Sequence, residues 1–134
     1  MSASVMCLFG LIGWTIVLLF VLLGARTKPA LGGQLIFDQQ GGDLPGLGQR
    51  ITRAQANSLE WLTIPAAILV YAIATGQSDV TNGLAMVVLG ARVLQSITHI
   101  ASVSLPAIFV RASLFTVQVV IWIIWMVGLG APTS

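Results

Sequence analysis

Glu60 and Arg92 are charges set inside stretches otherwise apolar enough to cross a bilayer. A charged side chain at membrane depth costs about 2.5–3.5 kcal/mol on insertion scales, so it normally faces protein and serves a purpose there. On a helix, Arg53, Asn57 and Glu60 fall at i, i+4 and i+7 and stack on one face over about 10 Å of rise. Arg92, Gln95, Ser96 and His99 follow the same spacing farther along the chain. Two polar stripes at membrane depth are therefore available to face each other, and neither can face lipid. Two chemistries are open to them. In the first, Glu60 and Arg92 form an ion pair, and Asn57, Gln95 and His99 join helices by hydrogen bonds; such a pair needs good geometry and extra hydrogen bonds to offset desolvation and need not have any catalytic role. In the second, arginines take the carboxylates of a small zwitterionic or anionic ligand bidentately, while Glu60 and Asn57 bind its amine or amides.

The elements that must position these residues follow from composition. The chain has 134 residues, 57% hydrophobic and 7% charged, where a soluble domain carries roughly 25% charged residues. It reads as an integral membrane protein. A formal charge of +2 spread over six scattered cations excludes the clustered basic face that nucleic-acid binding needs. Cys7 and His99 are the only cysteine and histidine, so neither a disulfide framework within one chain nor a zinc site is expected, and no metal is predicted. Cys7 reads as a lipid-facing or packing thiol. Residues 5–23 have no basic residue ahead of them, are followed by Arg26 and Lys28, and exceed the roughly 7–15 apolar residues of a cleavable signal; they are expected to remain as a span.

A bilayer-crossing helix needs about 20 mostly apolar residues, and four stretches qualify, near residues 5–23, 51–74, 84–104 and 111–129. The fold class expected is all-α, an integral membrane bundle of four transmembrane helices. Gly10, Gly13 and Gly24 offer flat surfaces for close helix approach in the first span. Residues 26–49, with Pro29, Pro45 and many glycines, read as a long loop, and loops of that length are often functional. Pro65 is expected to bend the second span. Residues 76–83 read as a polar turn, Pro106 marks the region where the third helix ends, and Gly128, Gly130 and Pro132 close the fourth. Arg26, Lys28, Arg50 and Arg53 lie in or beside the first loop and Arg111 beside the third, so the positive-inside rule puts both loops in the cytoplasm and both termini outside. No internal repeat or low-complexity segment divides the chain, and residues 1–134 are read as one domain. Trp14, Trp61, Trp122 and Trp125 read as interfacial or packing aromatics. The glycines of residues 41–48 lack the following Lys-Ser/Thr and the preceding strand of a phosphate-cradling loop.

The run Arg53-Ala54-Gln55-Ala56-Asn57-Ser58-Leu59-Glu60, preceded by Arg50, resembles the second-helix signature of the MAPEG family, the membrane-associated proteins in eicosanoid and glutathione metabolism. Gly90-Ala91-Arg92-Val93-Leu94, with a polar residue two turns on and an arginine near the start of the fourth helix, extends the resemblance, which spans nearly the whole chain. It implies a homotrimer of four-helix subunits of the bacterial type, in the inner membrane, with glutathione as co-substrate between neighbouring subunits on the cytoplasmic side. Carried over by position, Arg50, Arg53, Asn57 and Glu60 would contact glutathione, and Arg92 would be a contact or the partner of Glu60. Arg111 would stabilise the thiolate, because a free thiol has a pKa near about 8.5 and a neighbouring cation lowers it. A small lipophilic electrophile would reach that thiolate from the lipid. Members active on glutathione commonly carry tyrosines on the third helix, where this chain has Gln95 and His99. His99 is therefore read either as a packing residue or as a ligand contact. The acidic residue often found before the Arg50 position is here Gln49, and the spacing from His99 to Arg111 is longer than the family pattern, which leaves Arg111 open to a second reading as a topogenic cation.

Three classes of function remain at this level: a membrane glutathione transferase or peroxidase, a non-catalytic member that binds lipid or a partner protein, and a small proton-coupled exporter using Glu60. A carboxylate beside a cation stays ionised and makes a poor proton-exchange group, which sets the exporter behind the other two.

Overall fold

The computed structural model describes residues 1–39, 41–43 and 46–131; Leu44 and Pro45 of the first loop and Pro132 lie outside the described residues. Among the described residues five helices form the fold: α1 (Ala3–Leu31), α2 (Leu47–Glu60), α3 (Thr63–Ala74), α4 (Ser78–Ala101) and α5 (Leu105–Gly130). With α2 and α3 taken as one broken rod, Leu47–Ala74, four rods are long and apolar enough to cross a membrane. This agrees with the all-α, four-span expectation.

The break between α2 and α3 has a specific cause. Pro65 has no amide hydrogen to donate to the carbonyl four residues back, at Trp61, and its ring crowds that carbonyl. The regular ladder therefore stops there: the Trp61 amide still donates to the Asn57 carbonyl at 3.2 Å, the Leu62 amide tightens to the Leu59 carbonyl at 3.4 Å, and the Ala66 amide resumes on the Leu62 carbonyl at 3.0 Å. Glu60 and Trp61 consequently sit at the end of one helical segment.

Three expected boundaries need correction. α1 runs eight residues past Leu23, through Lys28 and Pro29, because a proline in the last turn removes only one helical bond while the apolar stretch below it is already helical. Residues 78–83 are the first turns of α4 rather than a turn, since their polar groups are taken up by α1: Ser4 N donates to Asn82 Oδ1 at 2.9 Å, Ser4 Oγ donates to the Ser78 carbonyl at 3.2 Å, and Ser4 and Thr81 share a hydroxyl contact. α5 begins at Leu105, with Ser104 Oγ accepting from the Ala107 amide at 3.4 Å and Pro106 in the first turn, where its missing donor is harmless.

α4 touches every other helix. Its half nearest the chain termini packs apolar side chains, Ala85 and Val88, into a core with Cys7, Leu11, Leu69, Ile121, Trp122 and Trp125. Cys7 is thus a packing thiol, and Trp122 and Trp125 are packing aromatics. Of the three glycines singled out in α1, Gly10 lies at a close approach, where a Cβ would fall 2.6 Å from Leu89 Cδ2, whereas Gly13 and Gly24 face open space. The other half of α4 buries Arg92, Gln95 and Ser96. Outward positions such as Phe9, Phe20, Phe109, Ile123 and Val127 are exposed and apolar, as a lipid solvent requires.

The first loop folds back onto this polar half. The Asp43 carboxylate accepts from Gln34 Nε2 at 2.6 Å and from the Asp38 amide at 3.1 Å, and the Arg26 guanidinium lies 4.9 Å from the Phe37 ring centre. Gly41 adopts φ 75° and lies so close to α2 that a Cβ there would fall 2.9 Å from the Gln49 Cα. A Gly41→Ala substitution should therefore cost about 1–3 kcal/mol of loop docking. The check is limited proteolysis within residues 33–46, expected to accelerate several-fold while circular dichroism stays unchanged; unaltered cleavage would show that docking does not depend on this approach.

Candidate functional site

α2 and α4 run antiparallel, and their register sets the site. Arg50 meets Ile100, Asn57 meets Arg92 and Gln95, and Ser58 meets Ser96. Arg92 Nη1 donates to Asn57 Oδ1 at 2.8 Å, Gln95 Nε2 reaches the same oxygen at 3.5 Å, and the Ser58 and Ser96 hydroxyls lie 3.1 Å apart. The two stripes meet only at Asn57: Arg53 and Glu60, expected to face α4 with it, are exposed.

The ion pair considered between Glu60 and Arg92 is not formed. Three residues turn a helix by about 300°, so Glu60 points about 60° to one side of Asn57, out of line with α4, and it is exposed. Arg92, 4% exposed, finds Asn57 instead, and its Nη2 has no partner among the described residues. Arg92 is therefore a buried cation with no carboxylate partner among the described residues.

Arg53, Asn57 and Glu60 line a groove of about 290 Å³ together with Ala56, His99 and Arg111. Three helices contribute: α2 supplies the first three polar groups, the last turn of α4 supplies His99, and α5 supplies Arg111. The long sequence interval from His99 to Arg111 is taken up by residues 102–104 and nearly two turns of α5, which return Arg111 to the groove. Its Nε is buried without a hydrogen-bond partner among the described residues. Asn57 and Arg111 also line a neighbouring trough of about 260 Å³ that is otherwise mostly apolar, walled by Trp61, Ile108, Ala112 and Phe115, with Gln95 at its base. Trp61 and Phe115 pack edge to face there, with ring centres 5.1 Å apart. A charged niche and an apolar trough thus share two residues.

Arg50 and Arg92 do not line the groove. Arg50 Nε donates to the Ile100 carbonyl at 2.6 Å, supplying a cation to one of the carbonyls that the end of α4 leaves unpaired. Arg92 stands behind Asn57 as its support. Gln118, which sequence spacing could have exposed because it lies seven residues after Arg111 on the same helix face, is fully buried; its Nε2 donates to Gln95 Oε1 at 2.8 Å and to the Leu114 carbonyl at 3.1 Å.

The groove sits at the end of the bundle that carries Arg26, Lys28, Arg50, Arg53 and Arg111, opposite the chain termini. Arg53 and Glu60 on its rim are exposed, and Glu60 also borders a second groove of about 460 Å³ toward α1. At about 290 Å³ the charged groove is at the lower bound of the roughly 300–1,000 Å³ usual for ligand pockets. Two cations and one carboxylate line it, with the Arg92 charge behind. It suits a ligand that carries more negative than positive charge.

The separate placement of the two arginines one turn apart on α2 has a direct consequence. Arg50→Ala should lower stability in detergent by about 1–3 kcal/mol, the range for a charged hydrogen bond, read as an earlier thermal unfolding transition. Arg53→Ala should leave that transition nearly unmoved. Equal effects of the two would contradict the assignment.

The family model described as MAPEG family matches residues 4–131. No curated protein and no solved structure matches the chain. Four apolar rods, an α2 segment whose Asn57 and Ser58 meet α4, and a family-model match over nearly the entire length converge on one conclusion: the chain is a multi-pass membrane protein that belongs to the MAPEG family.

Proposed function

We propose that this protein is a glutathione-dependent transferase or peroxidase that acts on lipophilic electrophiles. The observation that carries the reading is the junction of the charged groove and the apolar trough at Asn57 and Arg111. Glutathione has two carboxylates, one ammonium, two amides and a thiol. Arg53 supplies a fork for a carboxylate, Glu60 a counter-charge for the ammonium, and Asn57 and His99 hydrogen-bonding groups for the peptide. Arg111, the cation that borders both groove and trough, is the group available to hold a thiolate, favouring loss of the thiol proton at neutral pH. In conjugation the thiolate sulfur forms a bond to an electrophilic carbon, and the leaving group or opened oxygen departs with the bonding pair. In peroxide reduction the sulfur would bond to the terminal oxygen of the hydroperoxide as the O–O bond breaks, leaving a sulfenic acid and an alkoxide that takes up a proton as the alcohol; the thiol of a second glutathione then attacks the sulfenic sulfur, forming the disulfide and releasing water. The trough walled by Trp61 and Phe115 is where an apolar co-substrate would approach. No protein side chain forms a covalent bond in either scheme.

His99 stands where active relatives commonly carry tyrosine; its ring nitrogen supplies one donor in the neutral form. The exposed Arg53 and Glu60 leave the groove open on one side, which supports an assembly in which a second copy of the chain closes it, a homotrimer as the family resemblance implies. The basic end of the bundle is assigned to the cytoplasm by the positive-inside rule. A non-catalytic lipid- or partner-binding member would keep the fold and fail the chemistry.

Equilibrium titration of the detergent-solubilised protein with glutathione, followed by conjugation of a generic electrophile, tests the reading. Binding is expected for the wild type, with affinity reduced about 10- to 100-fold by Arg53→Ala and by Glu60→Ala, the scale of a lost charge-assisted contact. Arg111→Ala should depress the conjugation rate more than the affinity. No binding at millimolar glutathione would end the enzyme reading, and retained conjugation in Arg111→Ala would remove the thiolate role alone.

A further inference from the structure

We propose that Gln118 and Gln95 are positioning residues that fix the amide of Asn57 so that its Nδ2, a donor, faces the groove. The orientation follows from hydrogen-bond capacity. Arginine has no acceptor, so the Asn57 atom 2.8 Å from Arg92 Nη1 must be its oxygen. The Gln95 atom that approaches that oxygen at 3.5 Å must then be its nitrogen, which turns Gln95 Oε1 toward α5. There it accepts from Gln118 Nε2 at 2.8 Å. The same nitrogen donates to the Leu114 carbonyl at 3.1 Å, a group that can only accept. A chain of three amides is thus pinned at one end by a group without acceptors and at the other by a group without donors, and reversing any amide would set like atoms against each other.

The network leaves Asn57 Oδ1 committed and its Nδ2 without a hydrogen bond among the described residues, on a side chain that borders both the groove and the trough. The site therefore presents a donor at its centre and selects a ligand that offers an oxygen there, a peptide carbonyl or a carboxylate. Gln118 is fully buried and touches neither groove; it acts through Gln95. For its ligand this inference rests on the glutathione reading above; for the orientation itself it does not.

Two measurements separate these parts. The first needs no ligand: hydrogen exchange of side-chain amides in nitrogen-15-labelled protein in detergent. The Asn57 amide protons should exchange with solvent at least tenfold faster than those of Gln95 and Gln118, and Gln118→Met should remove the protection of Gln95. A protected Asn57 amide overturns the proposal whether or not glutathione binds. The second uses glutathione as the probe. Asn57→Asp keeps an acceptor for Arg92 but puts an oxygen in place of the groove donor, so it should retain the thermal transition and weaken glutathione binding at least tenfold. Gln118→Met should raise KM for glutathione about three- to tenfold with kcat unchanged, and Gln118→Asn, which restores an amide, should recover part of the loss. Wild-type binding with an unaltered KM in Gln118→Met, or full affinity in Asn57→Asp, overturns the positioning role and leaves the enzyme reading intact. Failure of the wild type to bind glutathione overturns the enzyme reading, while the exchange result still decides the orientation.

Discussion

A guanidinium enclosed among membrane helices must be given acceptors, and the polar half of this bundle is organised around that demand. Arg92 is almost wholly buried and meets no carboxylate among the described residues. The Asn57 oxygen is what it obtains, and this contact ties α2 to α4 in mid-bundle. A cation held this way still carries the cost of leaving water. The positive field it leaves uncompensated reaches a groove already bordered by two further arginines, so the same feature that strains the apolar interior makes the groove receptive to an anion. Structure and proposed chemistry thus share one origin.

The bundle divides accordingly. Toward the termini α4 opens with polar turns bonded to Ser4 and then packs Ala85 and Val88 around Cys7, Leu69 and the two tryptophans of α5. Toward the basic end the same helix is polar and exchanges hydrogen bonds with α2 and α5. The interruption at Pro65 falls between these regions, so α2 can follow the polar register while α3 follows the apolar one. Gly41 of the first loop lies against Gln49 and Thr52 of α2, and α1 packs along the same helix, so the groove-bearing segment does not rest on α4 alone.

The four spans were legible because apolar stretches of sufficient length have few alternatives, and the inward polar face of α4 was legible because helical spacing identifies a face, whereas of the α2 stripe only Asn57 turns toward α4. That arithmetic does not identify the partner. Pairing Glu60 with Arg92 follows opposite charge, whereas the structure follows angle: a rotation of about 60° places Glu60 on the rim and Asn57 in the path of the arginine. Arg50 looked like a member of the binding set because it precedes Arg53 by one turn, yet its side chain meets the end of α4, and helix-end carbonyls leave no mark in a sequence. Gln118 carried the spacing signal, but a neutral amide within an apolar helix costs far less than a charge and stands out less. The helical course of residues 24–31 and 78–83 was hidden because Pro29, Ser78 and Gly83 argue locally for turns, while the polar groups of 78–82 are satisfied by Ser4, distant in sequence.

The enclosure of Cys7 has a practical consequence. With the chain's single sulfhydryl buried in the cluster that holds Leu11, Leu69 and Trp125, the folded protein is expected to be silent toward alkylating or chromogenic thiol reagents. Any ultraviolet thiolate absorbance that develops on adding a tripeptide can then be attributed to the guest rather than to its host, without first engineering a cysteine-free background.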